Sequence, residues 1–170
     1  MKRRVLALVG VLVVTAAGCQ PNGSDLTQVE ASRVRVGYPK QWQRADKDGH
    51  ITANKTEGGR TVAQLTVMER VIKATTADLA VSAMQVGRVT QPGYRRGESS
   101  ELDVKGAKDA RRLNYTYTSS EGGTPRPGVG TDVIALVERD VYVVRITGLK
   151  DKVAQSEIDA IVESIELKEG

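Results

Sequence analysis

The chain has no phenylalanine, and aromatic residues make up only 4% of it. Its core must therefore be filled by Val, Ile, Leu and Ala. Cysteine occurs once, at Cys19, and histidine once, at His50. A single thiol excludes intrachain disulfides and cysteine metal clusters. A single histidine leaves no His-rich metal set. No Gly-x-Ser-x-Gly elbow and no Gly-x-x-x-x-Gly-Lys phosphate loop is present. The apolar run Val5 to Val14 falls well short of the roughly 20 residues that cross a bilayer as a helix. Three of the basic residues behind the net charge of +4, Lys2, Arg3 and Arg4, precede that run, so the remaining chain is near neutral. No nucleic-acid partner is expected, since that would call for a basic domain.

A basic start, a short apolar run and the small residues Thr15-Ala16-Ala17-Gly18 read as a secretory signal. A cysteine straight after Ala-Ala-Gly resembles the bacterial lipobox, in which the thiol is diacylated and the chain is cut just before it. Ala16 stands where that pattern prefers Leu, Val or Ile. The expected organisation is a signal peptide over 1–18, then a lipidated Cys19 and flexible tether over 19–31, then one domain over 32–168. Two or three acyl chains hold a protein firmly where one alone is marginal. That would place the protein on the extracytoplasmic face of the cell membrane. An unanchored secreted protein is the alternative for the cysteine, and an N-terminal strand is the alternative for the tether.

Within the domain, Arg33-Val34-Arg35-Val36 alternates as a half-buried strand does, and Pro39 closes it. His50 to Asn54 and Thr61 to Met68 alternate likewise, with turns at Asp48-Gly49 and Gly58-Gly59. A helix is expected over Thr76 to Val89, with Leu79, Ala83, Met84 and Val86 recurring at helical spacing. Polar Arg95 to Val104 and stronger Ala110 to Thr118 read as strands. Ser119 to Gly130 reads as a loop, because Gly and Pro crowd it. Asp132 to Val137 and Val141 to Ile146 are nearly continuous apolar runs, as in a hairpin buried on both faces. A second helix, Ser156 to Ile165, carries Ile158, Ile161, Val162 and Ile165 on one stripe, with Ser156 and Asp159 spaced as a capping box. The order of elements indicates an α+β fold, a central antiparallel sheet with helices available for both faces.

Several features of the domain resemble the PsbP-like fold as used by actinobacterial lipoproteins of the LpqN/LpqT type. They are Val36-Gly37-Tyr38-Pro39-Lys40-Gln41-Trp42, Val104 to Ala110, Leu113-Asn114-Tyr115, the apolar hairpin and Ile161 to Ile165. The resemblance spans Ser32 to Leu167. It implies an α/β/α sandwich, no cofactor, and a binding or assembly role at the envelope with a protein or an amphiphile as partner.

For catalysis the residues offer little. His50 is expected on an exposed strand, and Asp46 with Asp48 reads as a solvated turn. A hydrolase would need His50 in a cleft beside a serine and a carboxylate. For binding, the candidates are Tyr38, Trp42, Tyr94, Tyr115 and Tyr117 with Arg95, Arg96, Arg111 and Arg112. The two arginine pairs lie on strands that could pair into one positive patch. Alternatively, Glu98, Glu101 and Asp103 neutralise them. The 119–130 loop is either a recognition loop or a plain hairpin tip. The function read from all this is a lipid-anchored, non-catalytic envelope module. The alternative is a lipid or small-molecule carrier with an apolar pocket between sheet and helix.

Overall fold

The computed structural model describes residues 25–120 and 123–168. The expected signal peptide and Cys19 lie outside the described residues. The strands are β1 (Leu26–Glu30), β2 (Val34–Pro39), β3 (Gln43–Arg44), β4 (Ile51–Glu57), β5 (Arg60–Met68), β6 (Arg95–Glu101), β7 (Asp109–Ser119), β8 (Arg126–Val137), β9 (Asp140–Leu149) and β10 (Glu166–Leu167). Helix α1 is Ala77–Val86 and α2 is Gln155–Glu163. Seven strands form one antiparallel sheet in the order β3-β4-β5-β9-β8-β7-β6, and three form a second, β1-β2-β10. The class is α+β.

Strand alternation divides the core in two. Along β9, Tyr142, Val144 and Ile146 enter one cluster, with Ile158, Ile161 and Val162 of α2 and Val29, Val34 and Val36 of the small sheet. Val141 and Val143 of the same strand enter the other cluster, with Ala80 and Val81 of α1 and Leu113, Ile134 and Leu136. Each fully buried aliphatic side chain contributes about 1.5–3 kcal/mol, so β9, buried on both faces, is the centre of the fold.

Hairpin chemistry sets the register. Gly58 and Gly59 both lie in the left-handed region, with φ of 57° and 75°. Two consecutive positive φ values match the turn that twists with its flanking strands. Glu69, just after β5, accepts hydrogen bonds from the backbone N–H groups of Arg33 (2.7 Å) and Val34 (3.2 Å), which ties the small sheet to the large one.

Four expectations need correcting. The tether does not extend to residue 31: β1 pairs with β2 from Leu26↔Pro39 to Glu30↔Arg35, and Val29 is buried. Backbone pairing, which composition does not reveal, made that polar stretch a strand. The 119–130 loop is shorter, because β7 runs to Ser119 and β8 begins at Arg126. Helix α1 ends at Val86 and buries Ala77, Ala80 and Val81, while Leu79, Val86 and Val89 are exposed. Its rotation is set at the first turn, where Asp109 accepts from the Ala77 N–H (2.7 Å) and Arg111 pairs with Asp78 (2.9 Å). Thr76 caps it, accepting from the Leu79 N–H. Helix α2 starts at Gln155, and Glu157 rather than Asp159 reaches back to the Ala154 N–H (3.0 Å).

Candidate functional site

The chemistry gathers on the α1 side of the large sheet. Tyr115 and Tyr117 of β7 stand opposite Gly130 and Gly128 of β8. A Cβ at Gly130 would come within 2.1 Å of the Tyr115 ring, so only glycine lets that ring lie across β8. The Tyr115 hydroxyl thereby donates to Asp132 Oδ1 at 3.1 Å. Asp132 is completely buried. It also accepts from Arg88 Nη2 (2.9 Å), just beyond α1, and from Arg145 Nε and Nη2 (3.1 Å each) on β9. The Arg88 guanidinium carbon lies 4.2 Å from the Tyr115 ring centroid, a cation–π contact. Tyr94 completes the row, its ring 5.7 Å from that of Tyr115, with Tyr117 at 6.3 Å on the other side. Arg88 Nε and Tyr94 Oη are buried with no hydrogen-bond partner.

Two guanidiniums meet one carboxylate here. Among the described residues Asp132 is the only acid paired with either, so one positive charge is in surplus. Burial raises the Tyr115 pKa above its ordinary value, and the Asp132 charge raises it further, so the phenol is a neutral donor. Burial acts to lower the Arg145 pKa, but the charge of Asp132 and its hydrogen bonds outweigh that and the net shift is upward.

Arg145 faces outward from this cluster, with 26% of its side chain exposed. Helix α1 packs on β7 and β8. Beyond it, β4, β5 and β9 present half-buried Asn54, Gln64, Thr66 and Thr147. These are neighbours across the ladder, Asn54↔Gln64, Gln64↔Thr147 and Thr66↔Arg145. Gln64 Nε2 donates to Asn54 Oδ1 (2.9 Å), and Thr66 Oγ1 donates to Gln64 Oε1 (3.3 Å). A depression of about 70 Å³ touches Gln64, Tyr117 and Thr147. At Val62 and Leu149 it meets a groove of about 770 Å³ lined by Arg60, Arg126 and Lys152 against Glu57. A different groove, about 800 Å³, lies between β1 and α2, and its charged lining is mostly acidic, with Asp25, Glu157, Asp159 and Glu163 against Lys40.

The expected site residues are divided by this geometry. Tyr38 and Trp42 are buried in the α2-side core, apart from Tyr94, Tyr115 and Tyr117. Tyr94, Tyr115 and Tyr117 do come together. Arg95 and Arg96 are exposed on the edge strand β6. Arg111 and Arg112, adjacent on a strand, point to opposite faces: Arg111 bonds Asp78 and Arg112 pairs with Asp159 at 2.8 Å. The single positive patch is therefore not formed, because adjacent strand residues cannot share a face. Of the three neighbouring acids expected to neutralise it, Glu101 approaches Arg111 at 3.8 Å, while the closer partners come from the helices and from Asp109. His50 is exposed in the turn before β4, and Asp46 is held by Arg44 at 2.7 Å. Sequence reasoning missed Arg88, Asp132 and Arg145. The signal was there for two of them: a charged residue inside each of two otherwise apolar runs.

No family model matches the chain, and no curated protein does. Solved structures do. LpqN of Mycobacterium tuberculosis, described as involved in cell envelope biogenesis, superposes with a TM-score of 0.52 at 15% identity, over 85% of this chain and 91% of that one. PA94 of Pseudomonas aeruginosa, a protein of unknown function, gives 0.51 at 14% identity, over 79% and 90%. At such identity the likeness is one of fold, and fold does not carry function with it.

Proposed function

We propose that the protein is a non-catalytic binding or assembly module of the bacterial cell envelope. It is held at the extracytoplasmic face of the membrane by acyl chains on Cys19, and it works by contact with an envelope component. The observation that carries this reading is the uncovered half of the α1-side sheet face. There a rigid scaffold presents amides, hydroxyls and a surplus guanidinium, and it presents them beside a groove. Such surfaces bind through fixed geometry and need no nucleophile. The fold shared with LpqN and the lipobox-like start of the chain support the envelope setting. Among the described residues no helix is long and apolar enough to cross a membrane, so the proposed anchor would carry the attachment.

The carrier reading loses its premise on the α2 side. The space between sheet and helix is filled by Leu65, Tyr142, Ile146 and Ile161, none more than 1% exposed.

The test is site-specific photo-cross-linking of the anchored protein in its native membrane. A cross-linker at Gln64 or Thr147 is expected to capture one envelope component that the same group at Gln41 does not. Equal capture from all three positions contradicts the reading. The mass of the mature N-terminal peptide tests the anchor separately: acylated Cys19 is expected, and a free thiol overturns it.

A further inference from the structure

We propose that the open face around Arg145 is a recognition site for an acidic saccharide. A carboxylate or phosphate would sit on the Arg145 guanidinium, with sugar hydroxyls on Asn54, Gln64 and Thr147. This rests on the reading of that face as the binding surface.

Asp132 is the one buried carboxylate of this face, and its two oxygens already accept from Arg88, Tyr115 and Arg145. It is the positioning residue of Arg145: it fixes the guanidinium in place and has no exposed oxygen to offer a ligand. The surplus charge therefore faces outward, since Arg145 is the more exposed of the two guanidiniums. Around it the unspent groups are mainly donors. Gln64 uses one amide hydrogen on Asn54 Oδ1 and its carbonyl on Thr66, which leaves its second amide hydrogen and the Asn54 amide group. A donor-rich face selects an acceptor-rich ligand, and an oxyanion on a guanidinium is the strong case.

The shape selects among oxyanions. The polar row crosses three strands, Asn54 to Gln64 to Thr147, at about 4.8 Å per step. It suits a ring bearing several hydroxyls better than a compact ion, which would contact Arg145 alone. The groove of about 770 Å³ that continues from Leu149 has Arg60 on its wall, with Lys152 paired to Glu57 and Arg126 to Asp151, and is of the size of small-ligand sites. It gives further sugar units somewhere to go.

Calorimetry on the mature protein in neutral detergent tests this with trigalacturonate, its methyl ester, mannose 6-phosphate and inorganic phosphate. Trigalacturonate or mannose 6-phosphate is expected to bind, more weakly as salt rises. The neutral ester and inorganic phosphate should bind at least tenfold more weakly. Arg145→Gln should weaken binding at least tenfold, and Thr147→Val about threefold with stability unchanged, which keeps the proposal testable if the first variant folds poorly. Arg95→Gln, on the far edge strand, should change nothing. Equal binding of the ester, equal binding of free phosphate, or unaltered affinity in both variants overturns the proposal. So does binding only to phosphatidylglycerol vesicles. If neither acidic sugar binds while Gln64 still cross-links selectively, the saccharide falls and the binding surface stands. If both fail, the surface falls too.

Discussion

The two faces of the large sheet are built by the same strands and have different characters. On the α2 side, β5 and β9 contribute Ala63, Leu65, Val67, Tyr142, Val144 and Ile146, which α2 and the small sheet close over. On the α1 side β9 first buries Val141 and Val143 with Ala80 and Val81 of α1, and then the same two strands contribute Gln64, Thr66, Arg145 and Thr147, which remain half-buried. Alternation of period two makes this possible: one strand can serve packing with its odd residues and recognition with its even ones, or the reverse. Stability and contact chemistry are separated here by the thickness of a sheet. The Arg88–Asp132–Arg145 cluster marks the border on the α1 side between the part that α1 covers and the part left open.

Substitutions test this division between the two faces. The largest effect is expected at that border. Asp132→Ala would leave two guanidiniums close together without their carboxylate, and breaking a buried ion pair costs about 3–5 kcal/mol. Denaturant unfolding measures it; a loss below 1 kcal/mol would show that the cluster is not what holds the border. Next comes the closed face. Ile161→Ala removes a fully buried side chain and should cost about 2–5 kcal/mol in the same assay. A variant as stable as the parent would mean that α2 is not part of the cooperative core. Smaller is Gly130→Ala. Its methyl group would displace the Tyr115 ring, and overpacking of this kind costs about 1–3 kcal/mol. Nuclear magnetic resonance should show Tyr115 and Arg88 shifting together, and a Tyr115 signal unchanged in position contradicts the stacked geometry.

The smallest effect is one of pH. Burial tends to raise the Glu69 pKa, but hydrogen bonds from Ser32, Arg33 and Val34 outweigh it, and the folded-state value lies below the ordinary one. A depressed carboxylate contributes stability above its unfolded pKa of about 4.3. That contribution is lost as the pH falls through the folded value. Unfolding free energy should therefore decline on acidification below about pH 4.5, and Glu69→Gln should flatten that decline. An identical pH profile in the variant would remove Glu69 as the tie between the sheets.

Most of the large sheet was legible because its signals are local. The hairpins at Gly58-Gly59 and between Val137 and Asp140, and the alternation of Ala63, Leu65 and Val67, each depend on neighbouring residues. Strand β1 was not legible, since a polar segment becomes a strand only when another strand pairs with it. Gly128 and Gly130 were read as breakers, yet in the fold they are the floor under two tyrosine rings. The rotation of α1 was hidden for a similar reason: Asp109 and Arg111, which fix it, lie about 30 residues along the chain. The cluster itself was half visible. Asp132 and Arg145 stand out inside apolar runs, and a buried charge in such a run needs a partner. Arg88, from the end of a helix, could be matched to them only in three dimensions.

The most direct test of this division of labour is to map trigalacturonate onto isotope-labelled protein by backbone amide shifts. The shifts are expected to centre on Asn54, Gln64, Thr66, Arg145 and Thr147, and to leave β1 and α2 unmoved. Shifts centred instead on the acidic groove between β1 and α2 would contradict it.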